Sequence, residues 1–322
     1  MQFTSVPANG ASLCAPLIFA FGDQAAPRTL DVEIYHAQSG DLLFKKRLYH
    51  TSAGEVDIAP LLRRLVRFDP SCIATGFFKL PDRFLPVRIQ VEEASVERTF
   101  LPAEHLPEGY LLTSMPSSRL LARGDKEELF LRPGITRAIV RYQTPTESTS
   151  RIFTNSDSTQ PCGFGVTTHT LPEGVERMEV ALYVGNELAH TILYTITPVR
   201  SEGVRLAWVG RQGAIEHYTF PRCESRTEEQ SRHEGLLAEG APRLLQATVQ
   251  EQWLITSAYE RTEVLEALAE IGTAPQLWLV SESGTYTPIG VKAGSRQLFR
   301  RGVLTAMQFT LCSTVKQLSL WS

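Results

Sequence analysis

MEVALYVGNELAHTILYTI, residues 178–196, reads as two strands joined by a Gly185–Asn186 turn. Met178, Val180, Leu182 and Val184 alternate with Glu179 and Tyr183, so one face of the segment is apolar and the other is polar. A period of two residues is the signature of a half-buried strand. Glycine and asparagine supply the positive φ that a tight hairpin needs. The pair therefore predicts an antiparallel hairpin with one wet face.

The same grammar recurs along the chain. Leu85, Val87, Ile89 and Val91 alternate with Arg88, Gln90 and Glu92. Val32 and Ile34, Ala138 and Val140, and Met307, Phe309 and Leu311 follow the same rule. Ser39–Gly40, Gly210–Gly213 and Glu282–Gly284 stand where further hairpins need turns. Repeated hairpins with little helix between them predict a mainly β chain: tandem antiparallel, immunoglobulin-like sandwiches, then a C-terminal β domain carrying one α-helix.

That helix is expected over 259–271. Ser257 and Glu260 have the spacing of a capping box, and Val264, Leu265, Leu268 and Ile271 form an apolar stripe. Gly272 supplies a left-handed stop. A shorter helix is expected from Asp57 to Arg64.

With 322 residues the chain has room for two or three domains. The proline-rich stretch Leu101–Gly109 and the segment Pro198–Gly203 suggest boundaries, giving domains at 1–108, 109–200 and 201–322. Between residues 221 and 240 the sequence RCESRTEEQSRHEG has no apolar period and reads as a long solvated loop. Loops of that length usually serve binding or assembly.

Composition excludes several classes. A net charge of −3 without a Lys/Arg run gives no electrostatic footprint for nucleic acid. No stretch approaches the ~20 apolar residues of a membrane span. The first 24 residues lack a basic start, and Pro16 interrupts a short apolar run, so a strand is expected there and not a signal peptide. The chain is thus expected to be made in the cytoplasm and to leave it only within a particle. Five widely spaced cysteines, Cys14, Cys72, Cys162, Cys223 and Cys312, include no CxxC pair, so unpaired thiols used as small hydrophobes are the simpler reading.

The search for chemistry selects no catalytic, cofactor-binding or metal-ligating residue. There is no GxSxG, Walker or HExxH motif. Gly163 and Gly165 make only a GxG. His169 follows Cys162 closely, but no orienting Asn or Asp is identifiable. Glu216 and His217 are neighbours in an expected strand and so point to opposite faces. His190 falls in register with Leu188, Ile192 and Tyr194, as a core or rim histidine would. Asn155, Asp157 and Thr159 have the spacing of a calcium loop start, without its glycine or distal Glu, and a turn rich in Asx explains them. The pairs Glu92–Glu93, Glu127–Glu128 and Glu228–Glu229 are sequence neighbours, whereas glycosidase carboxylates usually come from separate elements. Trp208, Trp253, Trp278 and Trp321 fit a core or interface better than a sugar platform.

The C-terminal order is a strand (Leu245–Thr256), the helix, QLWLVSESGTYTPIGVK, and the closing strand LTAMQFTLC. With Trp278, Tyr286 and Pro288, and the hairpin Leu206–Phe220 before them, residues 204–321 resemble C-terminal modules of virion structural proteins, of the tail or baseplate type, from phages and prophages of gut bacteria. The resemblance implies a non-enzymatic subunit that assembles with copies of itself or with other particle subunits through sheet edges and inserted loops. It implies no catalytic residue and no cofactor. The alternative is a carbohydrate-binding or adhesive β-sandwich protein at a cell surface, with a glycan as partner. An enzyme would instead show a deep pocket holding His169, or His217 with an acidic neighbour.

Overall fold

A computed structural model describes residues 1–70, 74–80, 83–104, 108–199, 203–236, 242–314 and 316–318. Cys72, Trp321, and the parts of the expected linkers and loop at 105–107, 200–202 and 237–240 lie outside the described residues.

The protein is mainly β, and its sheets stack in three successive pairs. In the first, strands Gln2–Ser5, Ile18–Gly22 and Ala53–Asp57 face a four-stranded sheet containing Arg28–His36 and Leu85–Val91. Val32, Ile34, Val87 and Ile89 bury between them with Phe19, Phe21 and Phe100. The strict alternation of burial along Leu85–Val91 is the pattern its sequence predicts.

The second pair sets a five-stranded sheet, built around the Arg177–Val184/Glu187–Thr197 hairpin, against a four-stranded one built around Lys126–Leu131 and Cys162–Thr167. Here one pairing is parallel, Ser118–Ala122 beside Glu187–Thr197. The four-stranded sheet also takes in Gly76–Phe78, a strand that precedes the expected boundary at 108. Gly163 stands directly opposite Phe78. A Cβ on Gly163 would lie 2.7 Å from Cε1 of the Phe78 ring. The first glycine of the GxG is therefore required by an aromatic ring lying across the strand, not by a phosphate.

In the third pair, Val204–Val209, Ile215–Phe220, Leu277–Val280 and Tyr286–Pro288 form one sheet. It packs on a second sheet and on helix Thr262–Ala269 through Leu206, Trp208, Phe220, Leu268 and Phe309.

Two expectations need correction. The segment read as a loop over 221–240 contains the strand Arg222–Leu236, paired in register with Pro242–Thr256. Every side chain described from Arg222 to Glu234 is exposed, so backbone pairing and polar cross-strand contacts organise this strand, and an apolar period has no reason to exist. At ~3.3 Å per residue, two 15-residue strands make a ribbon about 50 Å long.

The expected helix 259–271 is shorter. It spans Thr262–Ala269, continues as a 3-10 turn through Glu270–Thr273, and has no side-chain cap at Arg261. Ser257 instead accepts the Met307 amide at 2.9 Å, and Glu260 accepts the Tyr218 hydroxyl at 2.7 Å. Both capping-box side chains are drawn into tertiary contacts. Gly272 has no positive φ and sits inside the 3-10 turn. The Asp57–Arg64 helix is likewise a single turn, Ala59–Leu62, although Asp57 does accept the Ala59 amide at 3.0 Å.

Gly163→Ala should destabilise the protein by about 1–3 kcal/mol through overpacking against Phe78. In the Phe78→Ala background the same change should cost less. Urea unfolding of the four proteins of this double-mutant cycle measures the difference.

Candidate functional site

The strand Lys126–Leu131 carries two consecutive carboxylates, Glu127 and Glu128, both buried. Alternation would place one of them in solvent. Neither is wet, because one face of this sheet forms the second core and the other meets neighbouring units. Arg205 arrives from the third sheet pair and is 1% exposed. Its guanidinium lies 3.5 Å from Glu127 and 3.5 Å from Asp125, and it donates to Thr219 Oγ1 at 3.0 Å and to the Lys126 carbonyl at 3.0 Å. Arg119, from the second pair, reaches the other oxygen of Glu127 at 3.3 Å.

From Arg119 the network continues into the third pair. Arg119 donates to Thr113 Oγ1 at 2.8 Å, and the Thr113 hydroxyl donates to Glu216 at 2.8 Å. The Ser114 amide also donates to Glu216 at 2.8 Å. Burial pushes the Glu216 carboxyl up, against the pull of Arg119, Thr113 and Ser114. On the far side of the strand, Arg83 pairs with Glu128 and donates to the Asp69 carbonyl at 3.2 Å. Arg83, Glu128, Glu127, Arg119, Arg205 and Glu216 thus tie together segments far apart in sequence, from all three sheet pairs or the stretches between them.

Glu216 and His217 do point to opposite faces, and both faces are buried. His217 Nε2 lies 3.0 Å from the Tyr286 hydroxyl. Tyr286 packs edge-on against Trp278, and the Lys126 ammonium lies 5.2 Å from its ring centroid. The Ser283–Gly284 hairpin therefore turns Trp278 and Tyr286 inward onto the second sheet pair. Burial pushes the His217 pKa well below its ordinary value, with the charges of Arg205, Arg119, Lys126 and Arg83 adding to the effect.

A cleft of about 590 Å³ opens beside this network, walled by Met115, Arg119, Glu127, His217, Tyr218 and Glu260. It joins a histidine to acidic neighbours from other strands. Their chemistry is already committed: Glu127 is held by two guanidinium groups, Glu260 by Tyr218, and one His217 nitrogen by Tyr286. An imidazole with so depressed a pKa is a weak base at neutral pH. The arrangement serves as a latch between sheet pairs.

The other candidate residues stay apart. Cys162 begins the strand Cys162–Thr167 and His169 lies just beyond its other end, roughly 20 Å along the chain. Cys162 is buried and its thiol is pushed up to about 12, whereas His169 is exposed. His190 faces Ser117 at 3.1 Å. Asn155, Asp157 and Thr159 form successive Asx turns, with the Asp157 amide on Asn155 Oδ1 and the Thr159 amide on Asp157 Oδ1, both at 3.2 Å. Among the described residues no group of three or more His, Cys, Asp and Glu side chains could hold a metal ion. Trp208 and Trp278 are buried, and Trp253 is half-buried with the Arg226 guanidinium 5.5 Å from its ring centroid.

Sequence reading missed Arg119 and Arg205, and noted Glu127–Glu128 only as neighbours. The available signal was two adjacent carboxylates heading the apolar run LFL, and a lone arginine within VRLAWV.

No protein-family model matches the sequence, and no curated protein matches it. Among solved structures, a chain from the virion of a native gene transfer agent particle aligns at 10% identity over 37% of this chain and 98% of its own, with a TM-score of 0.23. A chain from the tail of an empty particle of that kind aligns at 11% identity over 36% and 96%, also at 0.23. A complex of Dpr2 Ig1-Ig2 with DIP-Theta Ig1-Ig3 aligns at 7% identity over 98% and 96%, at 0.20. At these scores no argument rests on the likeness.

The depressed His217 pKa fixes the sign of a pH effect. Below the unfolded value of 6.5 the unfolded chain binds a proton that the folded chain refuses. Folding stability should therefore fall as pH drops from 7 to 5, with His217 contributing part of the loss. In His217→Gln that part of the loss should vanish, as urea unfolding at the two pH values would show.

Proposed function

We propose that this chain is a non-enzymatic structural subunit of a phage-like tail, baseplate or injection particle, working by assembly with copies of itself or with other particle subunits. The ribbon Arg222–Leu236/Pro242–Thr256 carries the reading. Ordering a backbone costs about 1–2 kcal/mol per residue. Burial of side chains normally offsets that cost, yet none of the described side chains of the outer strand is buried. Laid on a neighbouring subunit, the ribbon would gain the contacts it lacks alone.

The far edge of the same sheet supports assembly independently. Strand Gln297–Arg301 pairs only with Leu304–Cys312 among the described residues. Leu298 is 58% exposed, Phe299 42%, and Val303 in the adjoining turn 89%. An open strand edge bearing large apolar side chains is a ready pairing surface. A sheet with a polar ribbon at one edge and an apolar, arginine-bearing strand at the other suits head-to-tail contacts, which close into rings or stack as filaments. In this reading the chain is made in the cytoplasm and works within the particle.

Sedimentation of the full chain at rising concentration, with mass spectrometry of particles purified from the source cells, tests the proposal. The parent should form defined oligomers, and the chain should be found in particles. Leu298→Lys/Phe299→Lys should sediment as a monomer with an unchanged melting temperature. A parent that stays monomeric and is missing from particles would contradict the reading.

A further inference from the structure

The junction between the first and second sheet pairs holds a cleft for which assembly gives no role. Its volume is about 500 Å³, and Asn9, Glu108, Tyr110, Arg132, Thr159 and Gln160 stand around it. Thr99, Gln160 and Pro161 also line a smaller neighbouring hollow of about 220 Å³, which Phe77 and Phe78 help to wall.

Tyr110 is 37% exposed in the larger groove, and its position is fixed from behind. Gly134 has φ +116, and a Cβ there would lie 2.7 Å from the Tyr110 ring. Only glycine lets the ring rest on that backbone. The Tyr110 carbonyl accepts the Arg132 amide at 2.8 Å, which ties the ring to the strand end behind it. The surrounding polar groups are oriented as well. Asn9 Oδ1 accepts the Thr99 amide at 2.8 Å, leaving the side-chain NH₂ to donate elsewhere. Thr159 donates its hydroxyl to Asp157 at 2.7 Å, leaving its oxygen to accept. Glu108 adds an acceptor, and Gln160 both a donor and an acceptor.

We infer that this groove binds a short oligosaccharide. A sugar ring presents C–H bonds on one face and hydroxyls around its rim. The first suits a rigid, half-exposed aromatic ring. The second suits a ring of fixed donors and acceptors with little net charge. The groove falls within the ~300–1,000 Å³ of ligand pockets. A phosphorylated ligand would meet Glu108, and a wholly apolar one would strip water from Asn9 and Gln160 without replacing it. The inference does not rest on the assembly reading: none of these residues belongs to the ribbon or to the Gln297–Arg301 edge.

Saturation-transfer NMR of the full chain tests it against a panel of neutral, N-acetylated and uronic-acid oligosaccharides, with calorimetric titration of any binder. At least one class should show transfer. Tyr110→Ala should weaken it by roughly tenfold while Tyr110→Phe binds as the parent does. Gln160→Ala should weaken it by a few-fold, and melting temperatures should show that each variant stays folded. No transfer from any member of the panel would overturn the inference. So would a binder indifferent to both Tyr110→Ala and Gln160→Ala.

Discussion

Glu127 lies buried between two arginines, Arg119 from its own sheet pair and Arg205 from the next. A carboxylate taken from water without partners costs several kcal/mol, and so does a guanidinium. Each is tolerable here only because the other is present. The second and third sheet pairs therefore hold complementary halves of one polar network. Separating them would require water to re-enter around Asp125, Glu127, Arg119 and Arg205 together. Such a junction contributes less to net stability than an apolar core of the same size, but it accepts only one relative placement of the two sheets.

Much of the remaining architecture follows from that placement. With Arg205 docked, the sheet carrying it is covered on both sides: Leu206 and Trp208 face the helix, while Ala207, Val209, Ile215 and Trp278 form a separate core on the opposite face. The Ser283–Gly284 hairpin closes over that second face, and Lys126 meets its Tyr286 ring. Gly76–Phe78 crosses into the second pair's sheet, so neighbouring pairs share more than loops. A rigid body of this kind suits a subunit that offers fixed edges to its neighbours, with the ribbon projecting from one edge and Leu298 and Phe299 exposed at the other.

How much of this was legible in the sequence depended on whether a strand buries one face, both faces or neither. Leu85–Val91 and Met178–Val184 bury one face, and alternation gave away both strand and orientation. The described side chains of Arg222–Leu236 bury neither, so its letters carry no period and its pairing partner defines it. Lys126–Leu131 and Val204–Val209 bury both, and there alternation misleads: Glu127 and Arg205 occupy positions that look wet but lie in the junction. The capping box at Ser257 and Glu260 failed for a related reason, since long-range partners, Met307 and Tyr218, took side chains that local spacing had assigned to the helix. Tyr110 carried no local signal at all. Its exposure depends on Gly134, with which it shares no motif.

Differential scanning calorimetry of the full chain tests most directly whether the buried network joins the sheet pairs into one body. A single transition is expected, in which the calorimetric and van't Hoff enthalpies agree. Arg205→Ala, which removes one cationic partner from both Asp125 and Glu127, should split off a lower-melting transition for the third pair. Two or three resolved transitions in the parent, unchanged by Arg205→Ala, would contradict it.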